Sequence, residues 1–251
     1  MSQTILITGG TGKFGRVFVS HFVKRGWNVI FTSTSRNRAD SLIVEHQGEG
    51  ELTGFVVDLT EENAAAMLIE KVHDAGHVVN HLVNNARSLN SLSTNRMGQT
   101  EREEFQQEYL LGVVVPYELS VALYNSQSDD LKTITNIGSQ YGAVAANPDL
   151  YDVYPHQSPI QYGVAKAALM HLTKELAVRF SERQIRVNCI AYGGVKGRVD
   201  AEFEKRYSAL SPSRRMLSEA DLAGPLDSMI RDGNIAITGQ TIMADGGWCL
   251  W

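Results

Sequence analysis

The sequence holds only two cysteines, Cys189 and Cys249, in 251 residues. One lies in an apolar, strand-like run and the other near the C-terminus, so both read as buried thiols rather than as a disulfide or a thiolate catalyst. No apolar run approaches about 20 residues. The chain starts MSQTILITGG, a strand and glycine turn rather than a charged region leading into a cleavable apolar segment. These absences predict a cytoplasmic protein with no membrane partner. Basic character is missing too: 23 Lys and Arg against 28 Asp and Glu give a formal net charge of −5, with the cations dispersed. That leaves no electrostatic footprint for nucleic acid. Repeats and low-complexity tracts are absent, and 43% hydrophobic against 20% charged residues argues against disorder. One large domain spanning 1–251 fits this length. His73, His77 and His81 are spaced four apart, but Gly76 and the onset of a strand break any shared helix, so no metal site is predicted.

What is present is a repeating order of apolar runs and helical periodicities. Residues 3–8 form a strand-like run that stops at TGGTGKFG, after which Phe14, Val17, Phe18, His21 and Phe22 recur at helical spacing up to Gly26. A strand, a glycine turn and a helix in this order present unpaired N–H groups to a phosphate, as in mononucleotide-binding units. A second strand, 27–35, is followed by a helix over 36–47, a third strand over 52–60 ending near Asp58, a helix over 61–75 capped by Thr60, and a fourth strand over 78–86. This βαβαβ pattern predicts a doubly wound parallel sheet with helices on both faces.

The second strand ends in Ser33, Thr34, Ser35 and Arg36, with no acidic residue to hold a ribose diol. Lys13, inside the glycine loop, is expected to face the same region. Hydroxyls and cations there suit the extra phosphate of NADP better than NAD.

Beyond a polar stretch over 87–100, a long helix over 101–126 is expected to kink at Pro116. A fifth strand over 131–139 ends in Ser139, where ligands of open parallel sheets sit. The loop to Tyr162 is read as ordered over the site, with Tyr151, Asp152, Tyr154, His156 and Gln157 available to a polar substrate. Next comes QYGVAK, 161–166. Its spacing places Tyr162 and Lys166 on one helical face. An ammonium about 5 Å from a phenol, at an effective dielectric of about 20, favours the phenolate by roughly 3 kcal/mol, which makes the pair a candidate acid/base catalyst. A sixth strand over 185–192, a charged, Pro-interrupted segment over 199–231 that reads as a substrate flap (about 196–217), and a last strand within 237–247 complete the chain.

TGGTGKFG, VVDLT, NNA at 84–86, Ser139, YGVAK, IRVNCIA and ITGQ…DGG, in this order, resemble the short-chain dehydrogenase/reductases over essentially the whole length. The resemblance implies a seven-stranded sheet, a nicotinamide cofactor, a small-molecule substrate, and a homodimer or homotetramer built through the long helices and last strand. It implies that Tyr162 exchanges a proton with the substrate oxygen, that Lys166 holds the nicotinamide ribose and favours the phenolate, and that Ser139 binds the reacting carbonyl or alcohol. Gly9, Gly12 and Gly15, with Lys13 and Phe14 among them, admit the pyrophosphate. Asp58 and Leu59 meet the adenine, Asn85 and Ala86 flank its ribose, and Val195 offers backbone groups to the carboxamide.

The sequence departs from the family pattern at several points. The glycines are spaced as in the family's extended branch, and Tyr162 lies 23 positions after Ser139, a step about ten longer than the shorter branch generally has. Tyr109 stands where the long helix should carry an asparagine, and Tyr192 and Gly197 replace the proline and threonine after the sixth strand. The expected activity is interconversion of a secondary alcohol and a ketone, with a sugar derivative favoured as substrate. An epimerase or dehydratase with transient redox, or a dinucleotide-sensing protein without chemistry, are the alternatives.

Overall fold

The computed structural model describes residues 3–127, 130–231, 233 and 236–251; Met1 and Ser2 of the N-terminal stretch read above lie outside them. Seven parallel strands form one sheet in the order β3-β2-β1-β4-β5-β6-β7. They are β1 Thr4–Ile7, β2 Asn28–Ser33, β3 Leu52–Val56, β4 His81–Asn84, β5 Thr133–Ser139, β6 Arg186–Tyr192 and β7 Thr241–Ala244. The helices are α1 Lys13–Val23, α2 Arg36–Glu45, α3 Ala64–Asp74, α4 Arg102–Tyr109, α5 Val115–Ser126, α6 Tyr154–Gln157, α7 Ile160–Arg179, α8 Ala201–Leu210 and α9 Ala223–Ile230.

The alternation of a pleated strand assigns β1 to two cores. Ile5 and Ile7 face one side and pack with Phe18, Phe22 and Phe31 against α1 and α9. Leu6 faces the other, where Leu68, Leu82, Leu119 and Leu176 of α3, β4, α5 and α7 meet. Side chains of this size contribute about 1.5–3 kcal/mol each when fully buried, so both faces hold the sheet. A third cluster, with Leu150, Tyr207, Met216 and Trp248, lies apart from these two. Among the described residues no helix is long and apolar enough to cross a membrane.

Three local expectations are corrected. The long helix is interrupted by a π-helical turn over Leu110–Val114, and Pro116 sits in the first turn of α5. Proline donates no N–H, so the turn before it rewires its hydrogen bonds, and proline itself is tolerated at a helix start. Thr60 does not cap α3; its N–H and hydroxyl donate to Asp58 Oδ1 at 3.0 and 2.7 Å, and α3 begins after Asn63, whose φ is 61°. The last strand is confined to Thr241–Ala244, because residues 245–247 turn over.

Candidate active site

The carboxyl ends of β1, β4, β5 and β6 open into one cavity of about 1030 Å³. At one end the glycine turn after β1 leads into α1. A Cβ on Gly15 would lie 2.2 Å from the Gly9 carbonyl oxygen, so only glycine lets the helix start this close to the turn. The turn is tied to its neighbours through side chains. Thr8 Oγ1 accepts from the N–H groups of Asn85 and Ala86, both at 2.9 Å, and Asn85 Nδ2 donates to the Thr8 carbonyl at 2.8 Å. Thr11 and Ser33 hydroxyls meet at 2.9 Å, joining the turn to β2.

At the other end Ser139 terminates β5 and accepts from the Tyr141 N–H at 3.2 Å. Tyr162 and Lys166 come from the first two turns of α7. Close packing fixes them relative to Ser139: a Cβ on Gly163 would approach the Tyr141 carbonyl oxygen to 2.9 Å. Lys166 is 7% exposed; its amine donates to the Ile137 carbonyl at 2.8 Å and lies 5.9 Å from the centre of the Tyr162 ring. All three line the cavity.

Of the expected dinucleotide residues, Gly9, Gly12, Lys13, Phe14, Ser33, Thr34, Asp58, Leu59, Asn85, Ala86 and Val195 line the cavity. Gly15, Ser35 and Arg36 do not. Gly15 is the packing point just described. Ser35 caps α2, its hydroxyl accepting from the Arg38 N–H at 3.4 Å, and Arg36 begins that helix, exposed and off the cavity. Two residues on, Arg38 lines the cavity in its place and donates to Thr34 Oγ1 at 3.4 Å. The four-residue step from Thr34 to Arg38 was the signal available in the sequence. Lys13 is also redirected. Its amine lies where a Cβ on Gly197 would meet it at 3.2 Å, beside Arg198 and away from the Ser33 end, and partial burial lowers its pKa.

The loop before α7 is ordered by short helical turns, but of its polar residues only Tyr141 and Tyr151 join Ser139 and Gln140 in lining the cavity. Asp152, Tyr154, His156 and Gln157 face elsewhere; Asp152 pairs with Arg206 at 3.2 Å and Gln157 Oε1 accepts from the Val153 N–H. The Tyr141 and Tyr151 hydroxyls meet at 2.9 Å, and burial raises both pKa values, which keeps them neutral donors. Tyr207 of α8 ties two loops together: it accepts from the Gly194 N–H at 2.9 Å and donates to Gln140 Oε1 at 2.8 Å, while its ring stacks on Trp248. Gly194 and Lys196 pair with Leu217, so the backbone of Val195 between them is turned the other way, to the cavity. Tyr192 is a core residue: its hydroxyl donates to the Leu222 carbonyl at 2.6 Å and Phe14 packs edge-on against its ring. Tyr109 is 41% exposed and does not line the cavity, which Gln107, Leu110 and Leu111 reach instead.

The remaining reactive candidates are dispersed. Burial raises the thiol pKa of Cys189 and of Cys249 to about 12. His73, His77 and His81 bond to Gln127, Thr53 and Thr133 respectively, and no cluster of three metal-ligating side chains occurs among the described residues.

Residues 13–249 match the family model described as enoyl-(acyl carrier protein) reductase. The chain is a short-chain dehydrogenase/reductase. It is 24% identical to the post-translational flagellin modification protein A of Campylobacter coli, covering 99% of both chains. It is 27% identical to a 3-oxoacyl-acyl-carrier-protein reductase of Thermotoga maritima, over 98% of this chain and 97% of that one. Among solved structures it is similar to a short chain dehydrogenase of Leptospira borgpetersenii with bound NAD+, at 26% identity and a TM-score of 0.86 over 99% and 93% of the two chains. It is also similar to ElxO with NADP bound, at 26% identity and a TM-score of 0.83 over the full length of both. As a short-chain dehydrogenase/reductase it is an oxidoreductase that uses a nicotinamide cofactor.

Proposed function

We propose that this short-chain dehydrogenase/reductase uses NADP(H) to interconvert a secondary alcohol and its ketone, with Tyr162 as acid/base. The observation that carries the reading is convergence: Ser139, Tyr162 and Lys166 meet at one end of a cavity whose other end is a glycine turn and helix start. The residues fit a dinucleotide. The turn excludes any side chain at Gly15, and among the described residues the lining includes Lys13, Arg38 and Arg198 against a single acid, Asp58. Lys13 and Arg198 suit the pyrophosphate, and Arg38 with Thr34 and Ser33 suits a 2′-phosphate. Asp58, Leu59, Asn85 and Ala86 would flank the adenosine, while the backbone of Val195 suits the carboxamide.

When bound, the nicotinamide supplies or accepts the hydride. The protein does the rest. The Tyr162 hydroxyl gives a proton to the substrate oxygen as a ketone is reduced and takes it back in the reverse direction. Ser139 donates a hydrogen bond to that oxygen, and the buried Lys166 ammonium stabilises the phenolate when Tyr162 is deprotonated.

Relatives carry names as different as flagellin modification, acyl-carrier-protein reduction and hydroxysteroid dehydrogenation, so the choice of substrate rests on the cavity walls. Tyr141, Tyr151, Phe203 and Tyr207 offer apolar rings, and Tyr141 and Tyr151 add hydroxyls, which suits a hydroxylated ring such as a sugar derivative. Exposed Ile160, Val164 and Val178 on α7 and Tyr117 on α5 suit a homodimer or homotetramer through these helices. The test is turnover with a panel of hydroxylated and apolar ketones, following NADPH absorbance. Stoichiometric loss of NADPH is expected; conversion with constant absorbance would instead mean transient redox, as in an epimerase.

A further inference from the structure

Five cations line the cavity, Lys13, Arg38, Arg87, Lys166 and Arg198, in a chain whose formal net charge is −5. Among the described residues the one acid on the wall, Asp58, sits on the β3 side and is engaged with Thr60. The dinucleotide reading accounts for four of the five: Lys13 and Arg198 toward a pyrophosphate, Arg38 toward a 2′-phosphate, Lys166 beside the phenol. Arg87 is left over. Its guanidinium lies over the Tyr162 ring with Cζ 4.3 Å from the ring centre, and no carboxylate among the described residues pairs with it. Contact with a ring face uses no carboxylate, so the five guanidinium N–H donors of Arg87, which lines the cavity, are available to an anion there.

We propose that Arg87 holds an oxyanion of the substrate, a carboxylate or a phosphate, close to the carbon that is oxidised or reduced. This rests on the dinucleotide reading above and narrows its substrate class to hydroxylated anions. A guanidinium over the ring lies about 5 Å from the phenol oxygen, and its hydrogen bonds reach about 2.9 Å further. An oxyanion held there is within reach of a small substrate whose reacting oxygen meets Tyr162 and Ser139. The planar fork matches carboxylate and phosphate bidentately. The hydroxyls of Tyr141 and Tyr151 then face the uncharged part of the substrate.

The test uses the wild type, Arg87→Met and Arg87→Lys, each with saturating NADP. Calorimetry measures binding of matched pairs: glucuronate and its methyl ester, tartrate and its dimethyl ester, and glycerol phosphate and glycerol. Turnover of the same compounds is followed by NADPH absorbance. At least one anion is expected to bind the wild type tenfold or more tightly than its neutral partner. Arg87→Met should remove that preference, weakening the anion about tenfold to hundredfold and leaving the neutral compound unchanged, as loss of a charge-assisted hydrogen bond does. Arg87→Lys should retain part of it. Preference confined to the phosphate pair would name phosphate as the oxyanion, and preference confined to the acids would name carboxylate. Equal or tighter binding of the neutral member in every pair, no binding of any anion, or a preference that survives in Arg87→Met would overturn the proposal. Failure of the underlying dinucleotide reading shows separately, as a wild type that does not bind NADPH in a fluorescence titration.

Discussion

On the proposed NADP(H) reading, replacing Arg38 by alanine should leave a protein that barely distinguishes NADPH from NADH. Arg38 is exposed, so its interaction with a phosphate is set near the water limit, where unit charges about 4 Å apart attract by about 1 kcal/mol. A phosphomonoester carries about −1.5 to −2 charges at neutral pH, which gives roughly 1.5–2 kcal/mol, or a tenfold to thirtyfold weaker Kd for NADPH. NADH lacks that phosphate and its Kd should move less than twofold. Stability should hold, because the α2 cap uses the Arg38 backbone N–H and not its side chain. Arg36→Ala is the control: it removes the same charge two residues away, from a side chain off the cavity, and should leave both dinucleotides unaffected. Fluorescence titrations at low and moderate salt provide the assay, and the Arg38 contribution should shrink as salt rises. Equal loss for both dinucleotides, or a larger effect from Arg36→Ala, would refute the assignment of this end of the cavity.

Tyr207→Phe keeps the stack on Trp248 but strands the Gly194 N–H and Gln140 Oε1. It should cost about 1–3 kcal/mol, or roughly 2–6 °C in Tm by calorimetry, and should raise KM because these two loops line the site. His81 is buried and bonded to Thr133 and Gln3, and burial, with Lys132 and Arg186 nearby, holds its pKa at about 3, below the 6.5 of an exposed histidine. The unfolded chain therefore binds the proton first, so stability present above about pH 6.5 is lost progressively as pH falls toward 3. Between pH 7 and 5 this amounts to about 2 kcal/mol, and His81→Gln should flatten that part of the Tm-against-pH curve. A curve of unchanged slope in the variant would mean that other groups control acid unfolding.

The sequence was informative where one residue type answers one geometric demand. Strands β1 to β6 were readable as apolar runs bounded by turns, and Tyr162 and Lys166 were paired by helical spacing alone. It was least informative where side-chain direction decides. Lys13 and Arg36 were both read toward the Ser33 end, yet Lys13 turns to Gly197, and helical phase sends Arg36 outward and Arg38 in. Arg87 follows directly on the NNA motif, but nothing in that adjacency says its guanidinium lies on a ring supplied by α7, 75 positions further on. Its position depends on the approach of β4 and α7, which no local pattern encodes. The Pro116 break was foreseen in kind but misplaced, since the strain is absorbed in the preceding π turn rather than at the proline.

The claim that Tyr162 moves the proton is tested most directly by Tyr162→Phe, which deletes one oxygen and keeps the ring on which Arg87 rests. NADPH titration and steady-state turnover of the same preparation should show an affinity within about twofold of wild type. Turnover should fall by about a hundredfold to ten-thousandfold, the contribution typical of a positioned acid/base. Turnover close to wild type, with NADPH still bound, would contradict the account.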